Sequence, residues 1–144
     1  MPNELEVKEI IRDRKAKYCR YLDTKQYDKW EKLFSADAKV TFYKPDGTVM
    51  MASDGVEKFF EGTRHFFATT VTVHQTHNSE IEFKSDAEAS AIWAMEDWHR
   101  YTPTPEHPAK SMHGYGHYYE TWKRVDGEWV IANLELHRLL VDVE

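Results

Sequence analysis

A single cysteine, Cys19, stands in the whole chain, so neither an internal disulfide nor a thiolate metal cluster can form. That usage is expected of a reducing compartment. Positive charge is scarce as well: 19 Lys and Arg against 25 Asp and Glu leave a net charge of -6. An acidic surface repels nucleic acid and anionic lipid, so neither is an expected partner. No apolar run approaches the roughly 20 residues that span a bilayer, and residues 2–9 lack the apolar stretch of a secretory signal. The expected location is therefore cytoplasmic, away from any membrane. Also missing are a His-x-Glu pair, a Gly-x-Ser-x-Gly turn, a phosphate-cradling glycine loop and paired cysteines. These absences argue against zinc hydrolases, serine hydrolases and nucleotide-binding enzymes. General acid–base chemistry by side chains remains, with no metal and no cofactor expected.

What is present suffices for one core. The 144 residues are 41% hydrophobic and 14% aromatic, enough for a single domain spanning 1–144 and too few for a second. Val7, Ile11, Arg14, Tyr18 and Leu22 recur at helical steps, which puts Tyr18 on a buried stripe. Asp23-Thr24-Lys25 breaks the pattern, and Tyr27, Trp30, Leu33 and Phe34 resume it in a second helix expected to stop near residues 35–37. Asp23 thus sits at a helix–helix corner. Val40 and Phe42 alternate with polar neighbours, and Pro45-Asp46-Gly47 turns the chain into a hairpin. Ser53 reads as the N-cap of a third helix carrying Val56, Phe59 and Phe60.

After residue 68 the period changes to two and stays so to the C-terminus. The segments 69–83, 87–101, 112–124 and 129–140 read as strands, with an irregular loop at Pro103, Pro105 and Pro108 and an Asp-Gly hairpin turn at residues 125–128. Helices first and long strands afterwards make an α+β fold with the sheet wrapped around the helices.

Eight histidines stand out. Thr72, His74 and Thr76 share one strand face and Val71 and Val73 the other, so His74 either faces solvent or lines a cavity. Asp97 shares a face with Ala91, Trp93 and Met95, where a carboxylate needs a pocket or a partner. Arg138 interrupts the apolar face of the last strand and is one such partner. His113 and His117, with His74 or His77, offer nitrogen ligands, although two pleats separate 113 from 117.

Three stretches, residues 17–23, 73–81 and 93–97, together with Gly114-Tyr115-Gly116-His117 and the closing hairpin around Asp126-Gly127, resemble the SnoaL-like branch of the NTF2-like superfamily. The resemblance implies a cone: a curved mixed sheet around the N-terminal helices, enclosing a deep pocket. It is nearest to the elimination enzymes of that branch, the bile-acid 7α-dehydratases, scytalone dehydratases and hexachlorocyclohexane dehydrochlorinases. Tyr18, Asp23 and His74 fall on their shared catalytic positions, and Asp97 resembles an additional acidic residue of the bile-acid dehydratases that the dehydrochlorinases lack. Trp93, Met95, Tyr115, His117 and Arg138 are the substrate-binding residues the resemblance suggests.

The implied function is a cofactor-independent lyase of the dehydratase type, or an isomerase, acting on a hydrophobic cyclic small molecule. Asp23 would fix the tautomer of His74, whose other nitrogen removes a proton from carbon. Tyr18 would polarise the developing enolate oxygen. Asp97 would protonate the leaving hydroxyl if burial raises its pKa, or act in binding if Arg138 lies close. The alternatives are a noncatalytic small-molecule binder and a subunit whose sheet serves an interface. Such relatives imply a homo-oligomer, trimer before dimer, with the face of Val71 and Val73 as the contact.

Overall fold

The first helix starts where the sequence supplies a cap. In a computed structural model of the chain, which describes residues 2–144, the Asn3 side chain accepts the Glu6 N–H at 2.9 Å while the Glu6 carboxylate accepts the Asn3 N–H at 3.2 Å. This reciprocal pair satisfies two of the free donors at a helix start. Helix α1 runs over Glu4–Asp23 and buries Val7, Ile11, Lys15, Tyr18, Cys19 and Leu22. Lys15, rather than Arg14, is the charged residue on the buried stripe.

Helix α2 spans only Tyr27–Glu31, and Phe34 already opens strand β1, Phe34–Tyr43. The expected stop near residues 35–37 is overturned by strand pairing. Phe34 aligns with Ile131, whose N–H donates to the Leu33 carbonyl at 2.8 Å. Burial of Phe34, Ala38 and Val40 then follows the period of two. Strand β2 is Val49–Asp54, so Ser53 lies in a strand and donates to the Gly55 carbonyl instead of capping. Helix α3 occupies Glu57–Phe67 without a side-chain cap.

The rest is sheet: β3 Val71–Ser85, β4 Glu88–Arg100, β5 Ser111–Val125 and β6 Glu128–Val143. Six strands lie in the order β2-β1-β6-β5-β4-β3, with β1 and β6 parallel and every other neighbour antiparallel. The sheet is mixed and open, and its inner face packs on the helices, the α+β arrangement expected. Its core centres on Trp30, whose ring lies 5.1–5.5 Å from Phe34, Phe59 and Phe60. Truncating such a residue removes about 3–5 kcal/mol of stability. Among the described residues no helix is long and apolar enough to cross a membrane.

The direction of β3 is now settled. Thr72 and His74 are buried, whereas Val71 and Val73 are exposed on the outer face. The solvent-facing reading of His74 therefore gives way to the inward one. Lys25 ties the neighbouring loop in place: with a left-handed backbone (φ 58°), it points its ammonium at the carbonyls of Phe67 and, at 2.7 Å, Thr70.

Candidate active site

Asp23 ends α1, and β3 runs directly past it. Three donors converge on its carboxylate: the Thr72 hydroxyl at 3.0 Å, the His74 backbone N–H at 2.8 Å and the His74 Nδ1 at 2.6 Å. Because the carboxylate can only accept, Nδ1 carries the proton, and the lone pair of a neutral ring sits on Nε2. The Nε2 points inward, 3.9 Å from Asp97 Oδ2. The structure thus brings Asp23 and His74 together in the arrangement required of a base held by its partner.

Asp97 comes from the inner face of β4 and meets a guanidinium from β6. Arg138 donates to it twice, Nη1 to Oδ1 at 2.7 Å and Nη2 to Oδ2 at 2.9 Å. Burial pushes the Asp97 pKa up, but the two hydrogen bonds from Arg138, with the His99 ring close by, outweigh it and hold the carboxyl well below the usual carboxylate range. Asp97 is therefore ionised and has no proton to give. The conditional role as acid is corrected to the alternative: Asp97 anchors Arg138.

His99, two residues along the same face, was missed. Its Nε2 lies 3.1 Å from Asp97 Oδ2, yet neither ring nitrogen makes a well-directed hydrogen bond. Its ring packs 5.7 Å from that of His74 and 5.2 Å from that of Phe67. The alternation Trp93, Met95, Asp97, His99 carried that signal in the sequence.

Tyr18 is a core residue, its ring 5.9–6.0 Å from Trp30, Phe34 and Tyr118. Burial pushes its hydroxyl pKa well above the usual tyrosine range, so it is a neutral donor.

A cavity of about 1180 Å³ opens beside this cluster, between α3, the β1–β2 hairpin and the ends of β4, β5 and β6. Phe42, Met51, Phe59, Phe66, Phe67 and Val141 give it an apolar wall, and His99, Tyr101 and Arg138 form its polar patch. Of the residues expected to bind substrate, only Arg138 lines it. Trp93 and Met95 are buried in the core, Trp93 donating to Glu120 at 2.7 Å. Tyr115 and His117 alternate out of register with the buried residues of β5 and project to the outer face. Tyr115 reaches His113 at 3.4 Å there. The period of two identified these strands but not which side enclosed the space.

Ligand atoms of His74, Asp97 and His99 lie within 4.8 Å of one another, the spacing of a metal site. The donor set does not suit a divalent cation, because Arg138 engages both Asp97 oxygens with a positive charge. His77 and His113 face Glu96 at 3.2 and 2.9 Å on the outer surface and do not join His74.

Comparison with known proteins bears on the family and the fold. The chain is 34% identical over 139 residues, 90% of its length and 89% of its relative's, to the probable cyclase FGR4 of Gibberella zeae. Its fold is similar to a candidate scytalone dehydratase of Novosphingobium aromaticivorans, with a TM-score of 0.82, 24% identity and coverage of 96% and 87%. It is also similar to the hexachlorocyclohexane dehydrochlorinase LinA-type3 of Novosphingobium barchaimii, with a TM-score of 0.78, 18% identity and coverage of 97% and 91%. The SnoaL-like domain model matches residues 3–135, and with its helices and open six-stranded mixed sheet this chain belongs to the SnoaL-like family, a branch of the NTF2-like superfamily.

Proposed function

We propose that the protein is a cofactor-independent lyase of the dehydratase type acting on a hydrophobic cyclic small molecule. The observation that carries this reading is the Asp23–His74 pair, 2.6 Å apart, with the free Nε2 3.9 Å from Asp97, whose partner Arg138 lines the apolar cavity. A core histidine needs a single partner. Here one carboxylate receives both the backbone and the ring of His74, which holds the imidazole at one angle and stabilises it when protonated.

The substrate enters past Phe67 and seats its ring on the aromatic wall. His74 takes a proton from the carbon beside a carbonyl, and the electron pair moves onto the carbonyl oxygen. Collapse of that enolate expels the β-hydroxyl, which leaves as water with the proton that His74 took, passed on by way of the neighbouring His99, so that both rings end as they began. Asp97 keeps the Arg138 guanidinium at the cavity wall, where it stabilises the enolate oxygen. Return of the proton to another carbon by the same groups would give an isomerase.

One observation favours a noncatalytic binder: the cavity wall contains His99 and Arg138, with His74 one layer behind. Incubation with a panel of β-hydroxy ketones and thioesters in heavy water separates the readings. Deuterium entering the acidic carbon is the expected result; tight binding of the panel without exchange would establish the binder instead.

The outer face supports association of copies, since Val71, Val73, Trp98 and Tyr119 stand exposed on adjacent strands. A trimer is the assembly we propose, and native mass measurement tests it.

A further inference from the structure

Helix α3 lays one stripe along the cavity: Lys58 and Phe59, Gly62 and Thr63, then Phe66 and Phe67, pairs four residues apart that share a face. Half of these residues are phenylalanines, yet the middle of the stripe has a position with no side chain at all. Nothing in the fold asks for glycine there. Gly62 is not one of the left-handed glycines, Gly47, Gly55 and Gly127, so its backbone suits any residue. A Cβ built on it meets no atom within 4 Å, so close packing does not exclude a side chain either. Glycine inside a helix is moreover unfavourable, and α3 has only 11 residues and no side-chain cap to offset it. What the missing side chain leaves is a notch in an aromatic wall, with Phe59 three residues before it and Phe66 four residues after.

The notch has a fixed place relative to the polar patch. At the C-terminal end of α3 the Phe66 ring lies 6.2 Å from that of His99 and 6.1 Å from that of Tyr101, and the Phe67 ring 5.2 Å from that of His99. Nearer the N-terminal end Phe59 meets Phe42 of β1 at 5.9 Å. Gly62 is one turn back from Phe66, about 6 Å along the helix axis and away from the polar groups. His99 gives a ligand a reason to sit at the polar end. It is more than nine-tenths buried, and both its ring nitrogens lack a well-directed partner, so it can bond a ligand oxygen.

We propose that Gly62 sets the length of the ligand: an oxygen-bearing ring is held at His99 and Arg138, and a further ring beyond it lies in the notch between Phe59 and Phe66. The inference rests on the reading of this cavity as the binding site and not on the elimination chemistry. The substrate class that follows is a rigid molecule of at least three rings with its oxygen at one end. The volume agrees, since about 1180 Å³ exceeds the roughly 300–1,000 Å³ usual for small-molecule pockets. The flanking phenylalanine rings offer the offset or edge-on contacts that a further ring prefers.

Calorimetric titration with two ketones tests this: β-tetralone, and β-tetralone carrying a phenyl ring at the end remote from the carbonyl. Wild type is expected to bind the longer ketone at least tenfold more tightly. In Gly62→Phe, whose ring fills the notch, that preference should fall tenfold or more. An unchanged preference overturns the proposal, whether neither affinity moves or both fall together. If Gly62→Phe does not fold, Gly62→Leu decides by the same ratio. Gly62→Ala should raise the thermal midpoint, because it removes a helix-interior glycine into open space; a lowered midpoint would show that the fold itself needs the glycine and would remove the argument. A wild type that binds neither ketone overturns the cavity reading and this proposal together. Binding of the longer ketone without exchange in heavy water removes only the elimination and supports the notch.

Discussion

Asp97 on β4 and Arg138 on β6 are not on neighbouring strands; their side chains meet across β5, over Gly114. Asp97 aligns with Gly114 and Arg138 with Gly116, so the guanidinium crosses the intervening strand on a diagonal. A Cβ on Gly114 would collide with Arg138 Nη1 and stand 2.8 Å from Asp97 Oδ1. We therefore expect Gly114→Ala to separate the pair and to cost about 1–3 kcal/mol in denaturant unfolding, the range for a buried polar group left unsatisfied. Unchanged stability would show that the pair relocates freely.

The same pair sets acid resistance. The Asp97 value in the folded protein lies below the ordinary carboxylate value of about 3.9, so its contribution is complete above that pH and is lost as pH falls through the folded value. Arg138→Met leaves a buried carboxyl whose desolvation is unopposed by the guanidinium, which raises its pKa. Unfolding titrations should place the acid midpoint of the variant at least one pH unit above that of wild type, with a loss of about 3–5 kcal/mol at pH 7. Coincident acid midpoints would show that Asp97 contributes little.

Catalysis should depend on the dyad separately from folding. His74→Gln is expected to lower the exchange rate by about a hundred- to ten-thousandfold, the usual contribution of a positioned acid or base. Asp23→Asn, which still accepts at one atom, should lose less. Circular dichroism and thermal melts keep misfolding apart from chemistry; a folded His74→Gln with full rate removes the assignment.

Ligand affinity should follow the inner wall and ignore the outer face. Met51→Trp fills part of the apolar cavity and should weaken binding of a bicyclic ketone at least tenfold in fluorescence titration. Tyr115→Ala and His117→Ala, on the far side of the sheet, should leave it within twofold. The reverse ranking would relocate the binding site.

Lys25 offers a test of the frame. Lys25→Met removes the ammonium from the Phe67 and Thr70 carbonyls at the end of α3 and should cost about 1–2 kcal/mol. Because the Phe67 ring lies 6.0 Å from that of His74, the exchange rate should fall with it. A loss of stability without a loss of rate would separate the loop from the dyad.

Much of the fold was legible in the residues themselves. The change from a helical to a twofold period marked the α+β division. The corner at Asp23 and the polar face of His74 marked two halves of a pair, and Arg138 on an apolar face announced a buried partner. Each is a local signal, because helix and strand geometry convert sequence spacing directly into shared faces. The end of α2, the strand placement of Ser53 and the inward turn of Lys15 were not local. Phe34 obeys β6, and Lys15 is buried because Glu120 waits for it across the core.

What the sequence by itself determined is therefore the set of faces: which residues travel together along each helix and strand. Only the tertiary structure decided which face encloses the cavity and what charge each buried group carries. Tyr115 and His117 stand outside because the neighbouring Gly114, Gly116 and Tyr118 point inward. Asp97 is an anion rather than an acid because a guanidinium two strands away reaches it over a glycine. Protonation depends on distances across the fold, and sequence spacing along a strand does not contain them.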